Sequence, residues 1–471
     1  MTRPTLLWLR RDLRLSDHPA LVAAVARGAP VIPVFIHDET VQALGAAPKW
    51  RLALSLADLA VRLEEKGSRL ILRRGDALGE LQALIAETGA GAVHWSRAYD
   101  PEAIARDKAV KAELRRDGVE AESHNAHLLF EPWTVETRTG GLYRVFTPFW
   151  RAVKDREVQT PVAAPQEIPA PQTWPASDAL DDWRMGAAMA RGRAVCAPHQ
   201  RVGEVAAQGR LGWFIGNTLA AYAEDRDFPA RDGTSGLSES LTYGEISVRT
   251  CWHAGIRAHH DGVRGAETWL KELVWREFAY HLMYHTPHIL SSNWREEWAA
   301  FPWQTDEDHP HVIAWKQGRT GVPFVDAAMR EMYVTGKMHN RARMIVGSYL
   351  TKHLLSHWKI GERWFADCLT DWDPASNAMG WQWVAGSGAD ATPYFRVFNP
   401  ETQLDKFDPG HRYARLWIAE GQAQPPAEAL AYFEAVPKSW GLSPDAPYPE
   451  PIVGMKEGRA RALEAYAERD F

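Results

Sequence analysis

Residues 5–37 read TLLWLRRDLRLSDHPALVAAVARGAPVIPVFIH. Thr5–Leu9 and Val31–Ile36 are short, uninterrupted apolar runs. Between them, Pro19–Arg27 opens on a proline and carries apolar residues at helical spacing. Apolar runs without polar alternation fit strands covered on both faces, and the helix between them fits a parallel crossover. The alternation continues outward. Leu70–Leu72, Val93–Trp95 and Val119–His124 read as further strands, and Lys49–Leu63, Leu78–Glu87 and Pro101–Arg115 as helices. This order predicts an α/β unit with a doubly wound parallel sheet over residues 1–128. Ligands of such sheets bind at the carboxyl ends of the strands. The first strand runs into Arg10-Arg11-Asp12, not into glycines, and neither G-x-G-x-x-G nor a Walker A motif occurs in the chain. An ordinary dinucleotide or ATP site is therefore excluded for this layer.

Downstream the character changes. Residues 129–200 read as an extended connector, with five prolines in Pro161–Pro175 (PVAAPQEIPAPQTWP). Residues 201–471 read as an all-α domain, clearest at Trp269–His285, Val322–Thr335, Asn340–Trp358 and Glu362–Asp371. The net charge of −6 excludes a generally basic nucleic-acid binder but leaves room for a local basic patch. Cys196, Cys251 and Cys368 are too few and too scattered for a disulfide framework or a CxxC metal site, which fits a reducing cytoplasm. No apolar stretch is long enough to span a membrane, and the N-terminal apolar run is too short for a signal peptide. Tryptophan is the compositional outlier: 22 residues, 13 of them between Trp269 and Trp440. Large-area core packing accounts for most of them. Stacking platforms or an electron relay are the functional alternatives.

Several clusters carry chemistry. Asp232-Gly-Thr-Ser-Gly-Leu-Ser238 offers hydroxyls and free backbone N–H groups suited to a phosphate, or an ordinary helix cap. In Trp269–Glu277, Glu272 and Arg276 stand at i,i+4, as for a surface ion pair, beside Trp269 and Trp275. His281, His285 and His288 resemble metal-ligand spacing, but Pro287 breaks the helix before His288, so no metal is expected. Tyr333–Gly361 contains no Asp or Glu and reads as a local basic region suited to a phosphate backbone, or as a solvated helix face. Asp371–Trp383 combines Asp371, Asp373 and Asn377 with indoles, a setting that suits a flat heterocycle better than paired-carboxylate hydrolysis.

Taken together, WLRRDLRLSDHPAL, DGTSGLS, WLKELVWREF, GRTGVPFVDAAMRE, MHNRARM, NAMGWQW and DATPYFRVFNP resemble, in order and from about residue 5 to 454, the DNA photolyase/cryptochrome family. The resemblance implies an α/β antenna domain, an extended connector and a helical domain holding FAD. It implies that Tyr222, Thr234, Ser235, Leu237 and Ser238 hold the FAD phosphates, that Trp269, Glu272 and Arg276 line the cavity, and that Arg343 pairs with Asp371 beside the flavin. Asp373 joins the cofactor set, and Asn377 matches the residue placed against flavin N5. Trp381, Trp358 and Trp303 match the inner, middle and outer members of a photoreduction chain. The segment from Trp303 to Trp315 is two residues longer than usual, so Trp315 competes for the outer place. Arg226, Trp275, Asn340, Arg341, Met344 and Trp383 match residues that contact a flipped pyrimidine dimer, with Glu272 hydrogen-bonding it.

The activity so implied is light-driven repair of cyclobutane pyrimidine dimers in DNA by a cytoplasmic monomer. An electron passes from excited, reduced FAD to the dimer and returns. The alternative is a cryptochrome-type photosensor. Asn377 is photolyase-like, since plant-type cryptochromes usually carry Asp there. Asn340 stands near where (6–4) photolyases carry a characteristic histidine. The long C-terminal tail common in signalling cryptochromes is missing from this sequence. Folate-binding relatives often place a glutamate near Ala103, so that contact is missing or displaced to Glu102. The antenna chromophore is then methenyltetrahydrofolate, a deazaflavin, or none.

Overall fold

A computed structural model of the protein describes residues 3–391 and 395–471; the first two residues and Thr392–Tyr394, inside the DATPYFRVFNP motif, lie outside the described residues. Five strands, β1 (Thr5–Leu9), β2 (Val31–His37), β3 (Ile71–Arg74), β4 (Ala92–Ser96) and β5 (Glu120–His124), form one parallel sheet in the order β3-β2-β1-β4-β5. Every residue of β1, β2 and β4 is buried, as expected for strands with neighbours on both sides and helices on both faces. Edge strand β5 alternates instead, with Ala121 buried and Glu120 and Glu122 exposed. Pro33 is tolerated inside β2 because β3 pairs only from Val34 onward. The strand order reverses about β1 and β4, and there the chain turns through Arg10-Arg11-Asp12.

The region 129–200 is more than an extended strap. Phe130, Val135, Phe146, Phe149 and Val153 are buried in the same core as Trp269 and Phe278, and Phe146–Val153 is a helix. The proline-rich stretch is moored to the sheet. Prolines cannot donate, but carbonyls of this stretch accept: Asp17 N donates to Val162 O and Val31 N to Pro169 O, both at 2.7 Å. Ile168 enters the core with Leu7 and Leu9.

Helices dominate from Glu204 on. The expected Asn340–Trp358 helix is broken. It runs Asn340–Ser348, widens into a π turn at Tyr349–His353, and passes through Leu355 with a left-handed φ of 49°. Trp358–Cys368 is then a new helix, whose first turn is capped by His357 Nδ1 accepting from Lys359 N. The periodicity ran through the break because Tyr349–Leu354 and Trp358 are buried on both sides of it. Sheet and helical parts are joined by buried polar contacts. Arg51 pairs with Glu245 at 2.8 Å, both with no exposed side chain, Arg249 pairs with Asp17 at 2.7 Å, and Glu204 accepts from Leu15 N and Ser16 N. Among the described residues no helix is long and apolar enough to cross a membrane.

Candidate functional site

The loop Asp232–Ser238 is shaped by a residue the sequence did not flag. Arg210, on the Glu204–Asn217 helix, donates to both Asp232 carboxylate oxygens, to Thr234 O and to Ser235 O, and its guanidinium lies 4.0 Å from the Trp213 ring centre. Its partners come from 22 to 25 residues downstream, so no local motif announces it. Gly236 takes a left-handed φ of 61°, which lets the loop turn into the Ser238–Thr242 helix. The clamp uses the Asp232 carboxylate and the backbone carbonyls of Thr234 and Ser235. The hydroxyls of Thr234, Ser235 and Ser238 make no hydrogen bond to any described residue. Buried Leu237 and Tyr222 lie close by in the chain's fold, and Phe214 touches both Tyr222 and Trp269, at 5.5 and 5.1 Å between ring centres.

Arg343 Nη2 donates to both oxygens of Asp371, at 3.0 and 2.8 Å, while its Nε donates to Met338 O. Asp373 is committed elsewhere. Its Oδ1 caps the Pro374–Ala385 helix at Ser376 N, and its Oδ2 accepts from the Tyr280 hydroxyl. Neither carboxylate is free for general acid–base work. Asn377 Nδ2 donates to Glu362 O and Oε1, at 3.0 and 3.1 Å; burial raises the Glu362 carboxyl pKa, partly offset by this amide.

The i,i+4 pair of Glu272 and Arg276 does not form. Glu272 pairs with Arg226, which follows the Tyr222–Asp225 helix. Arg276 donates to His127 O at 2.9 Å, meets His127 Nε2 at 2.6 Å, and stands 3.4 Å from Glu277. His127 Nε2 also lies 2.8 Å from the Tyr280 hydroxyl, so half-buried Arg276 and His127 and buried Tyr280 and Asp373 form one connected chain. Glu277 accepts from Leu129 N and Phe130 N, and burial pushes its pKa up to about 7 against the pull of Arg276. Sequence reading missed His127, Glu277 and Tyr280, because partners 148 and 153 residues apart leave no spacing to read.

The indoles separate by environment. The Trp381 ring packs on Gly361, where any Cβ would overlap it; this holds Trp381 on the helix that Trp358 opens. Trp358 is fully buried and donates to Asn293 Oδ1 at 2.7 Å. His357 stands between Trp358 and the half-buried Trp303, 5.5 and 5.6 Å from their ring centres. Trp315 is fully buried, donates to Val346 O and lies 6.1 Å from Trp381, on the inner side of the chain and away from the surface.

The dimer-contact candidates are more engaged than a solvated rim. Trp275 is half-buried with Phe146 stacked on it at 3.8 Å and 6°. Arg341 pairs with Asp227 at 2.7 Å and covers Phe407. Asn340 is exposed at the helix start, and Met344 and Trp383 are half-buried. The basic reading of Tyr333–Gly361 fails at Lys352, which has no exposed surface, donates to Ala385 O and lies 3.3 Å from the Phe395 ring centre. Burial holds the Lys352 pKa well below its usual value. Lys337 is paired with Glu239. His281 Nε2 accepts from Tyr143 N, and His285 Nε2 lies 3.2 Å from Pro132 O. Ala103 is buried and Glu102 exposed on the first turn of the Pro101–Arg116 helix.

Unpartnered hydroxyls on a clamped loop, a flat aromatic wall, an arginine–aspartate pair and a side-chain amide fit a flavin dinucleotide. A model of the FAD-binding domain of DNA photolyase matches residues 269–468, and a DNA photolyase model matches residues 5–172. The deoxyribodipyrimidine photo-lyase of Agrobacterium fabrum is 46% identical over 99% of this chain and 98% of its own length. Cryptochrome-1 of Arabidopsis thaliana is 33% identical over 98% of this chain and 70% of its own length. The crystal structure of a class III photolyase from Agrobacterium tumefaciens superposes with a TM-score of 0.91 at 44% identity, covering 99% of this chain and 98% of that one. With its helical part carrying an FAD-binding domain and its full length shared at this identity, the chain belongs to the DNA photolyase/cryptochrome family.

Proposed function

We propose that this protein is a cytoplasmic, monomeric deoxyribodipyrimidine photo-lyase that repairs cyclobutane pyrimidine dimers in DNA. The observation that carries the reading is the Pro374–Ala385 helix, which presents Asn377, Trp381 and Trp383 from one rigid element anchored at Asp373. Reduced FAD, when bound, supplies the photoexcited electron that splits the dimer and takes it back. Thr234, Ser235 and Ser238 would receive the phosphates, with Tyr222, Leu237 and Trp269 walling the cavity. Arg343 and Asp371 would fix charge beside the ring, and the Asn377 amide oxygen would accept from its N5–H. Glu272, steered by Arg226, would accept from the flipped base, while Trp275, Met344 and Trp383 exclude water around it. Asn340 and Arg341 would flank the lesion. Flipping costs less at a dimer because damage weakens pairing and stacking. The units proposed are 1–128 for the antenna, 129–200 for the connector and 201–471 for the flavin.

Illumination of the reduced holoprotein should restore thymine dimers in an oligonucleotide. No repair with FAD bound would defeat this reading in favour of a photosensor, whose relatives include the Arabidopsis cryptochrome. Trp381→Phe should slow photoreduction yet spare repair by protein reduced beforehand; loss of both would remove Trp381, Trp358 and Trp303 from the relay. The absorbance of the purified holoprotein distinguishes a folate antenna from a deazaflavin.

A further inference from the structure

Away from the flavin residues, the parallel register of β4 and β5 places His94 opposite Glu122, with His124 two residues further along β5 on the same face. His94 Nδ1 and His124 Nε2 are 3.2 Å apart, and His124 Nε2 is 3.9 Å from Glu122 Oε2. Among the described residues these three ligand atoms, two imidazole nitrogens and one carboxylate oxygen, lie within 4.8 Å of one another. Two nitrogens held about 2.05 Å from a tetrahedral ion stand about 3.3 Å apart, which is the spacing His94 and His124 already have. The remaining nitrogen of His94, Nε2, is buried without a hydrogen-bond partner and lies 3.5 Å from Glu120 Oε1. A carboxylate on the far nitrogen is how proteins orient a metal-ligating histidine. His94 is buried, His124 half-buried and Glu122 exposed, so an ion can enter from solvent and keep a water in its fourth position.

The groups facing the cluster are Glu120, with its partner Arg27, and Arg97, Lys111 and His18. Burial first, then His94, Arg97, His18 and Lys111, hold the His124 pKa down to about 4, and burial lowers that of His94, so both rings are neutral donors at neutral pH.

We infer that His94, His124 and Glu122 form a binding site for one zinc-class divalent ion, with Glu120 orienting His94. Two imidazoles with one carboxylate favour Zn²⁺ and its neighbours over Mg²⁺ or Ca²⁺. The ion would clip edge strand β5 to β4. The stretch that follows β5 supplies His127, Leu129 and Phe130 to Arg276 and Glu277, so the clip would also steady that contact.

Titration calorimetry of the FAD-loaded full chain with Zn²⁺ tests this. One ion per chain should bind, the unfolding temperature should rise by a few degrees at saturating Zn²⁺, and Mg²⁺ should do neither. The conservative, half-exposed His124→Gln and the double variant His94→Ala/His124→Ala should each lose stoichiometric binding. Glu120→Gln should weaken it roughly 10–100-fold. Absence of stoichiometric Zn²⁺ binding to the parent protein, or binding undiminished in His124→Gln with flavin content unchanged, overturns the assignment.

Discussion

Single residues set the two most exacting contacts around the candidate flavin site. Arg210 holds Asp232, Thr234 and Ser235 from one guanidinium and leaves the loop hydroxyls free. Arg210→Ala should lower FAD affinity roughly tenfold or more, about 1.4 kcal/mol, seen as a reduced flavin-to-protein ratio after gel filtration. An unchanged ratio would mean the loop holds its shape unaided. Gly361 acts by absence of a side chain, since a methyl group there would occupy the Trp381 ring. Gly361→Ala should cost about 1–3 kcal/mol of stability and slow photoreduction, measured by thermal unfolding and by flavin bleaching under blue light. Neither residue could be singled out from composition or periodicity. Their roles come from what another segment places against them.

At the scale of elements, the Pro374–Ala385 helix is fixed by its first turn. Proline stands at its first position, and Asp373 accepts from Ser376 N while also receiving the Tyr280 hydroxyl. Asp373→Ala should cost about 1–2 kcal/mol in a denaturant titration, and Asp373→Asn clearly less, because an amide oxygen can still accept at the cap. The D-P pair was legible as a helix start. Its tie to Tyr280, 93 residues earlier, was not. Similarly, the helical pattern of 340–358 was correctly apolar yet wrongly continuous. Burial on both sides of the break kept the periodicity alive, while Thr351 Oγ1 bonded back to Gly347 O and Leu355 turned left-handed.

For the molecule as a whole, the contact between sheet and helices is polar and buried. Arg51→Met would strand Glu245 without its cation, and should cost about 3–5 kcal/mol while lowering the unfolding temperature of the entire chain in one transition. Two separate transitions would show that the parts unfold independently. Glu277 gives the same junction a pH dependence. Its folded pKa of about 7 lies above the usual 4.5 because burial disfavours the charged form. Below 4.5 both folded and unfolded chains hold the proton, and this contribution to stability is complete. As pH rises toward 7 the unfolded chain releases its proton first, so the contribution is lost, on the order of 3 kcal/mol by pH 8. Thermal unfolding from pH 5 to 8 should therefore be flatter for Glu277→Gln than for the parent protein.

The sequence by itself determined the parallel α/β sheet, the helical remainder and the flavin-binding family, because burial on both strand faces and helical spacing are local patterns and the motifs are contiguous words. It also placed Arg343, Asn377 and Trp381 inside such words. Only the tertiary structure decided that Glu272 pairs with Arg226 and not Arg276, that Lys352 is buried, and that Arg210 shapes the Asp232–Ser238 loop. Those outcomes depend on which distant group arrives within hydrogen-bonding reach and on what is shut away from water, and neither is written in the spacing of residues along a chain.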